Sequence, residues 1–194
     1  MSLAALTIAL ILQTAAPAPA VEPGAVPERA TPYVHAAGGF VLTLPAGWRY
    51  LPLEDGSGLV LMTEGLDARI EAFAVTAEPS GVPGLPDDTI DALILRLEGP
   101  GFRRGARVRV PLVVAGESAA DRPQAGDVEA LSFTGSDEVR RWSGIAATRC
   151  GADILLTLEA IPADFERARP VFDTLVRSWG LVLTGGTDFP CGGR

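Results

Sequence analysis

The chain contains no lysine and a single histidine, His35. Without lysine there is no phosphate-binding lysine of a Walker-A loop, no Schiff base and no Ser–Lys dyad. All sixteen basic residues are arginine, a bias that a GC-rich coding sequence explains as well as any function does. Residues 21–38 hold three prolines and little apolar periodicity, so they read as a flexible lead-in. His35 falls there and is assigned no role. Long apolar runs are also scarce. Leu3–Leu12 is the longest, and nothing after it could make a stable membrane span in the mature form. A net charge of −8 and a pI near 4.7 speak against nucleic acid as a main partner.

The run Leu3–Leu12 has the length of a signal-peptide apolar region, and Ala18-Pro19-Ala20 supplies small residues before a cleavage point. Residues 1–20 are therefore expected to be a signal peptide cut between Ala20 and Val21. The absence of Lys or Arg ahead of the run counts against this, and a buried N-terminal helix is the alternative. The expected location is periplasmic or secreted. No cysteine follows the run, so a lipid anchor is not expected.

Cys150 and Cys191 make an even pair in a chain with an export signal, and oxidising compartments favour joining them. A bridge would tether the tail, residues 185–194, to the domain. Closing a loop of this size is worth roughly 4 kcal/mol in the chain-entropy picture. The spacing fits neither a CxxC redox pair nor a zinc site, and two free thiols are the alternative.

A folded domain is expected over residues 39–184. Phe40, Leu42 and Leu44 alternate with Val41 and Thr43 in a strand that Pro45 stops. Leu59 to Thr63 and Ala68 to Thr76 read as two more strands. After a Pro- and Gly-rich loop, Asp87 or Asp88 caps a helix whose Ile90, Leu93, Ile94 and Leu97 share one side. In Arg107 to Val114, Val108 and Val110 point one way and Arg107 and Arg109 the other. Asp127 to Phe133 and Glu138 to Thr148 form a hairpin around Gly135-Ser136-Asp137, and Ala152 to Ala160 follows. The last element is a helix between Ala163 and Trp179, with Phe165, Ala168, Phe172, Leu175, Val176 and Trp179 on its apolar side. Glu166–Arg169 and Asp173–Arg177 are its expected local pairs, and Pro170 either kinks it or starts its main part. The expected fold is α+β: a central antiparallel sheet of six or seven strands flanked by two main helices.

Three phrases carry a family resemblance across Gly39 to Leu183. FVLTLPAGW resembles the strand, Leu-Pro, small, Gly-Trp opening of PsbP-like domains. RVPLVVAGESAADRPQ resembles their mid-chain strand and small-residue turn. FERARPVFDTLVRSWGL resembles their closing helix, with Phe172, Leu175, Ser178 and Trp179 at its phrase positions. The resemblance implies an α/β/α sandwich. It also implies a superfamily of mostly non-enzymatic members: extrinsic photosystem subunits, nuclear Ran-binding proteins and envelope proteins of the DcrB type. The absence of lysine departs from the photosystem subunits, and no binding motif carries over.

Gly116-Glu117-Ser118-Ala119-Ala120 after VPLVV imitates an esterase nucleophile elbow. However, Ala120 replaces the second glycine, and the only histidine lies upstream, where that chemistry needs one downstream. A turn is the better reading. The carboxylates Asp87, Asp88 and Asp91 are accounted for by helix capping. Asp121, Asp127 and Glu129 lack calcium-loop spacing, and Asp137 with Glu138 sits at a hairpin tip. Arg103, Arg104, Arg107 and Arg109 pack four guanidinium groups into seven positions of an acidic protein. They read either as an anion or acidic-partner patch or as the solvent side of a strand guarding against edge pairing. Trp48 and Trp179 are expected in the core, and Trp142 on the side of its strand opposite Ile145. No cofactor, metal or catalytic residue is expected. The expected function is a non-catalytic envelope module binding a protein partner or a small ligand. The alternatives are an assembly factor of an envelope complex and, last, a hydrolase.

Overall fold

The computed structural model describes residues 22–35, 39–76, 103–114, 127–149 and 152–183. Along the chain they form β1 (Thr31–His35), β2 (Phe40–Leu44), β3 (Arg49–Pro52), β4 (Gly58–Met62), β5 (Ala68–Thr76), β6 (Arg103–Val114), β7 (Asp127–Ser136), β8 (Arg141–Arg149), β9 (Ala152–Ala160), α1 (Pro162–Ser178) and β10 (Gly180–Leu183). Ala20, Val21, Ser118, Cys150, Cys191, the Asp87–Asp91 group, Asp121 and the expected helix carrying Ile90 to Leu97 all lie outside the described residues.

The strands join in the order β1-β2-β10-β6-β7-β8-β9-β5-β4-β3. The seven strands from β6 to β3 are antiparallel throughout. β10 adds parallel to β6, with Leu181 opposite Leu112, and pairs antiparallel with β2, which carries β1 on its far side. One helix, α1, is seen among the described residues. It packs on one side of the sheet, against β9, β5 and β8 and also against β2. Alternation along the strands sends Leu42, Leu59, Leu61, Ile70, Ile145, Ile154, Leu156 and Leu158 to that inner side, where they meet Phe165, Ala168, Phe172 and Leu175 of α1. At about 25 cal/mol per Å² of apolar area, this shared core is the main stabilising contribution.

The sheet curls until its two outermost strands meet. Tyr33 on β1 and Tyr50 on β3 bring their rings to 5.4 Å. The Gly24 N–H donates to the Tyr50 carbonyl at 2.9 Å, and the Gly47 N–H donates to the Pro27 carbonyl at 2.9 Å. Gly47 sits at φ 77° at the third position of the Pro45–Trp48 turn, a conformation that glycine adopts without strain. His35 closes the seam. Its ring is only 9% exposed and stacks on Phe40 at 4.9 Å. Nδ1 lies 3.0 Å from the Tyr33 hydroxyl and Nε2 lies 2.9 Å from the Gly56 carbonyl. With its hydrogen on Nε2, the ring donates to Gly56 and accepts from Tyr33, so both polar atoms are satisfied. The expectation of a lead-in with a stranded histidine is therefore corrected over Thr31–His35, which is a strand. Pro32 argues against a strand in the sequence, but an outermost strand tolerates a residue without an N–H.

Two further short strands, β3 and β10, escaped the sequence reading. The hairpin also turns later than expected, with β7 running to Ser136 and β8 starting at Arg141. Asp137 Oδ1 accepts from the Val139 and Arg140 N–H groups in that turn. The helix starts on Pro162, whose fixed φ suits a first helical position, and it continues through Pro170. Its ion pairs differ from expectation. Arg169 meets Asp173 at 2.8 Å, Arg167 meets Asp164 at 2.9 Å, and Glu166 lies 3.4 Å from Arg141. Ser178 Oγ accepts from the Thr43 N–H at 3.0 Å, fastening the helix end to β2. Trp179 beside it is fully buried, and Trp48 is buried as well.

Candidate binding face

The side of the sheet away from α1 carries a separate apolar cluster. Phe133, Ala146 and Leu155 are buried there, with Phe73 and Leu131 packed against them. The strand registers arrange this outer side in rows. Phe73, Leu155, Ala146 and Leu131 lie opposite one another across β5, β9, β8 and β7. The next row toward the β7–β8 hairpin runs Glu71, Thr157, Gly144 and Phe133. The one after runs Arg69, Glu159, Trp142 and Gly135. Gly144 is required by close approach: a Cβ there would lie 2.0 Å from Cζ of Phe133. The tip of the Phe133 ring occupies the space a side chain would take.

A cavity of about 100 Å³ opens on these rows, lined by Arg69, Glu71, Phe73, Phe133, Trp142, Thr157 and Glu159. Its floor is aromatic and its rim is charged. Arg69 pairs with Glu71, and Arg140 approaches Glu159 at 3.6 Å and Asp67 at 2.7 Å. These pairs sit at the surface, where each contributes at most about 1 kcal/mol. Their main effect is to hold the rim side chains in place. Trp142 is on the side of β8 opposite Ile145, as the alternation requires, and its ring forms one wall of the cavity.

The arginine-bearing segment borders the same side. Arg104 lies opposite Phe133 and Arg107 opposite Leu131, with a register shift between them. Gly105 and Ala106 both fall opposite Ser132, whose hydroxyl donates to the Ala106 carbonyl at 2.8 Å. In a regular strand, residues 104 and 107 would point to opposite sides. The bulge inserts one residue and turns Arg104, Arg107 and Arg109 to the outer side together. Arg103 falls in the other phase. The four arginines of the sequence patch therefore divide three to one, and Arg107 is ion-paired with Glu129. The pairing Arg104–Phe133 places the arginine row directly beside the cavity.

The other candidate residues do not converge. Among the described residues no three His, Cys, Asp or Glu side chains come together to hold a metal. Glu129 is drawn to Arg107 rather than to another acid. Asp137 stays at the exposed hairpin, and the Arg140 and Val139 N–H groups hold its carboxyl below the ordinary range. The bulge escaped the sequence reading. The small pair Gly105-Ala106 between two arginine pairs was the available signal.

Comparison with solved structures places this architecture. The cyanobacterial PsbP (CyanoP) of Synechocystis sp. PCC 6803 superposes with a TM-score of 0.51 over 84% of this chain and 98% of its own, at 12% identity. The chain has a PsbP-like fold. Two other solved structures match less tightly. A Mog1 variant covers 81% of this chain and 98% of its own, with a TM-score of 0.46 and 11% identity. LpqN of Mycobacterium tuberculosis, described as involved in cell envelope biogenesis, covers 79% and 90%, with a TM-score of 0.42 and 16% identity. No family model matches the chain, and no curated protein matches it. Within the PsbP-like fold, the described residues show the seven-stranded antiparallel sheet and one of the two flanking helices expected from sequence. No helix among them is long and apolar enough to cross a membrane.

Proposed function

We propose that this protein is an exported, non-catalytic module of the cell envelope, periplasmic or secreted. In this reading it binds an acidic segment of a partner protein through the outer side of its sheet. The row Arg104, Arg107 and Arg109 engages carboxylates of the partner, and the cavity at Trp142, Phe133 and Phe73 takes an apolar side chain. The observation that carries this reading is that Arg104, Arg107 and Arg109 share the side of the sheet that holds the aromatic cavity, with Arg104 opposite Phe133, in a chain of net charge −8. A small anionic ligand would use the same chemistry without the partner.

The test is affinity purification of the native envelope form after crosslinking, comparing wild type with Arg104→Glu/Arg109→Glu and with Trp142→Ala. Loss of the captured species in both variants, with melting temperature within about 1 °C of wild type, supports the reading. Undiminished capture by both retires it. Co-purification with a membrane complex would indicate an assembly role.

We also propose that Cys150 and Cys191 are joined. The two thiols would pass two electrons and two protons to a dithiol–disulfide oxidase of the envelope. Cys150 belongs to the link between β8 and β9, at the same end of the sheet where β10 finishes at Leu183. The distance from β10 to β8 is three strand spacings, about 14 Å. The eight residues from Leu183 to Cys191 reach up to about 27 Å. Alkylation of envelope-derived protein without reductant, read by mass spectrometry, should leave both thiols unmodified. Modification of both would remove the bridge.

A further inference from the structure

Four large apolar side chains are left exposed among the described residues, and two of them, Val26 and Met62, line one groove. Its volume is about 370 Å³, and Gly47, Arg49, Thr63 and Glu64 complete the lining. Small-molecule sites ordinarily measure about 300–1,000 Å³. The groove therefore has room for a whole ligand, where the aromatic cavity of about 100 Å³ has room for one side chain. The strand registers keep the two apart. Met62 of β4 lies opposite Arg69 of β5 on one side and opposite Arg49 of β3 on the other. Arg69 borders the aromatic cavity and pairs with Glu71, whereas Arg49 borders the groove. Gly47, in the turn ahead of β3, and Val26, in the segment ahead of β1, form the other walls.

Charge decides what kind of ligand fits. Arg49 meets Glu64 at 3.9 Å, and the Glu64 side chain is 98% exposed. A carboxylate so fully hydrated holds a guanidinium weakly, and a ligand carboxylate can take its place. A guanidinium beside two apolar side chains suits an acid on an aliphatic chain, with charge-assisted hydrogen bonds to the head and burial of the tail. A peptide backbone finds less here. The Gly47 N–H already donates to the Pro27 carbonyl at 2.9 Å, and the Gly47 carbonyl accepts from the Thr63 hydroxyl at 3.0 Å. The lining thus offers apolar contact and one cation rather than a row of backbone partners.

We propose that the groove at Val26, Met62 and Arg49 binds a small aliphatic monocarboxylate. The carboxyl group sits on Arg49, and the chain lies against Met62 and Val26. This site is separate from the arginine row of β6 and does not depend on what that row engages.

The two methionines, Met1 and Met62, make the test direct, because isotopic labelling of methionine methyl groups gives at most two resonances and Met62 reports on the groove. Titration with butanoate, hexanoate and octanoate should move the Met62 resonance, with affinity rising about two- to fourfold for each added methylene. Octanamide, which has the same chain without the charge, should bind about tenfold more weakly than octanoate. Arg49→Gln should weaken octanoate by the same factor, while Arg177→Gln on α1 should leave it unchanged. An unmoved Met62 resonance, affinity indifferent to chain length, or Arg49→Gln binding octanoate as wild type does would each overturn the proposal. So would octylamine binding as tightly as octanoate, or a peptide ending in a free leucine carboxyl binding more tightly.

Discussion

The contact between Gly144 and Phe133 gives the sharpest quantitative test of the outer side. Replacing Gly144 by alanine puts a methyl carbon 2.0 Å from Cζ of Phe133 and 2.5 and 2.6 Å from its Cε atoms. An ordinary carbon contact is about 3.5 Å or more, so the ring must retreat by about 1.5 Å or swing away. Overpacking of this kind costs about 1–3 kcal/mol. A ring driven into water forfeits a further part of the ~1.5–3 kcal/mol that burial of Phe133 contributes. Gly144→Ala should therefore destabilise by about 2–4 kcal/mol, lowering the melting temperature by about 4–16 °C for a domain of this size. Urea unfolding of Gly144→Ala, Phe133→Ala and the double variant supplies the decisive comparison. Phe133→Ala alone removes the ring and should cost about 3–5 kcal/mol. With the ring gone the alanine methyl has room, so the double variant should be no less stable than Phe133→Ala. Additive losses would mean that the ring does not occupy the space above Gly144, and the layout of the cavity would fall with it.

Other outcomes follow from the seam and the turns. His35→Ala removes a buried ring with two hydrogen bonds and should cost about 2–3 kcal/mol in urea unfolding. A histidine in a loose lead-in would cost nothing. Burial, and for Tyr33 also the neighbouring Tyr50, raises both phenols above their ordinary value of 10.0. A raised folded value means that the stability they confer is intact below pH 10 and is lost as pH climbs through the folded values. Base titration should show both phenols ionising at higher pH in the folded protein than in the urea-unfolded chain, and identical titration in the two states would contradict this. Asp137 has the opposite sign. Hydrogen bonds from the Arg140 and Val139 N–H groups lower its folded value, so its contribution is present above 3.8 and disappears as pH falls through the folded value. Asp137→Ala should be less stable than wild type at pH 7 and indistinguishable from it at the acid end of a pH series.

Elements whose stability is local were legible in the sequence, and those stabilised from a distance were not. The apolar stripe Phe165–Ala168–Phe172–Leu175 announces α1 because 3.6-residue periodicity is a property of the segment itself. The alternation of Val108 and Val110 with Arg107 and Arg109 announces β6 in the same way. β1 is different. TPYVH contains a proline and has no long apolar pattern, and it becomes a strand because β2 pairs with all five of its residues and His35 reaches Gly56, 21 residues onward. β3 and β10 are four residues each, too short for a period to emerge, and are fixed by neighbours far along the chain. The ion pairs on α1 were misassigned for a related reason. Equally spaced partners compete, and Glu166 finds Arg141 on β8, which no helical spacing rule contains.

The candidate face follows the same division, and that bears on what it can recognise. Four arginines in seven positions are visible in the sequence, and strict alternation would put Arg103, Arg107 and Arg109 on one side and Arg104 on the other. Which of Arg103 and Arg104 joins Arg107 and Arg109 is decided by the bulge, which depends on Gly105 and Ala106 both lying against Ser132 of β7. β10 pairs with β6 only at Leu112–Val114, so the bulged stretch Arg104–Arg107 has β7 on one side and no β10 partner on the other. A bulge and charged side chains on such a stretch also guard it against edge pairing. The bulge also sets Arg104, rather than Arg103, opposite Phe133 on the side of the aromatic cavity. Deleting Ala106 removes the extra residue and leaves Arg104 two positions from Arg107, on the same outer side in a regular ladder. If the facing of the row serves recognition, this deletion should preserve the partner capture that Arg104→Glu/Arg109→Glu abolishes, and loss of capture on the deletion alone would refute that reading.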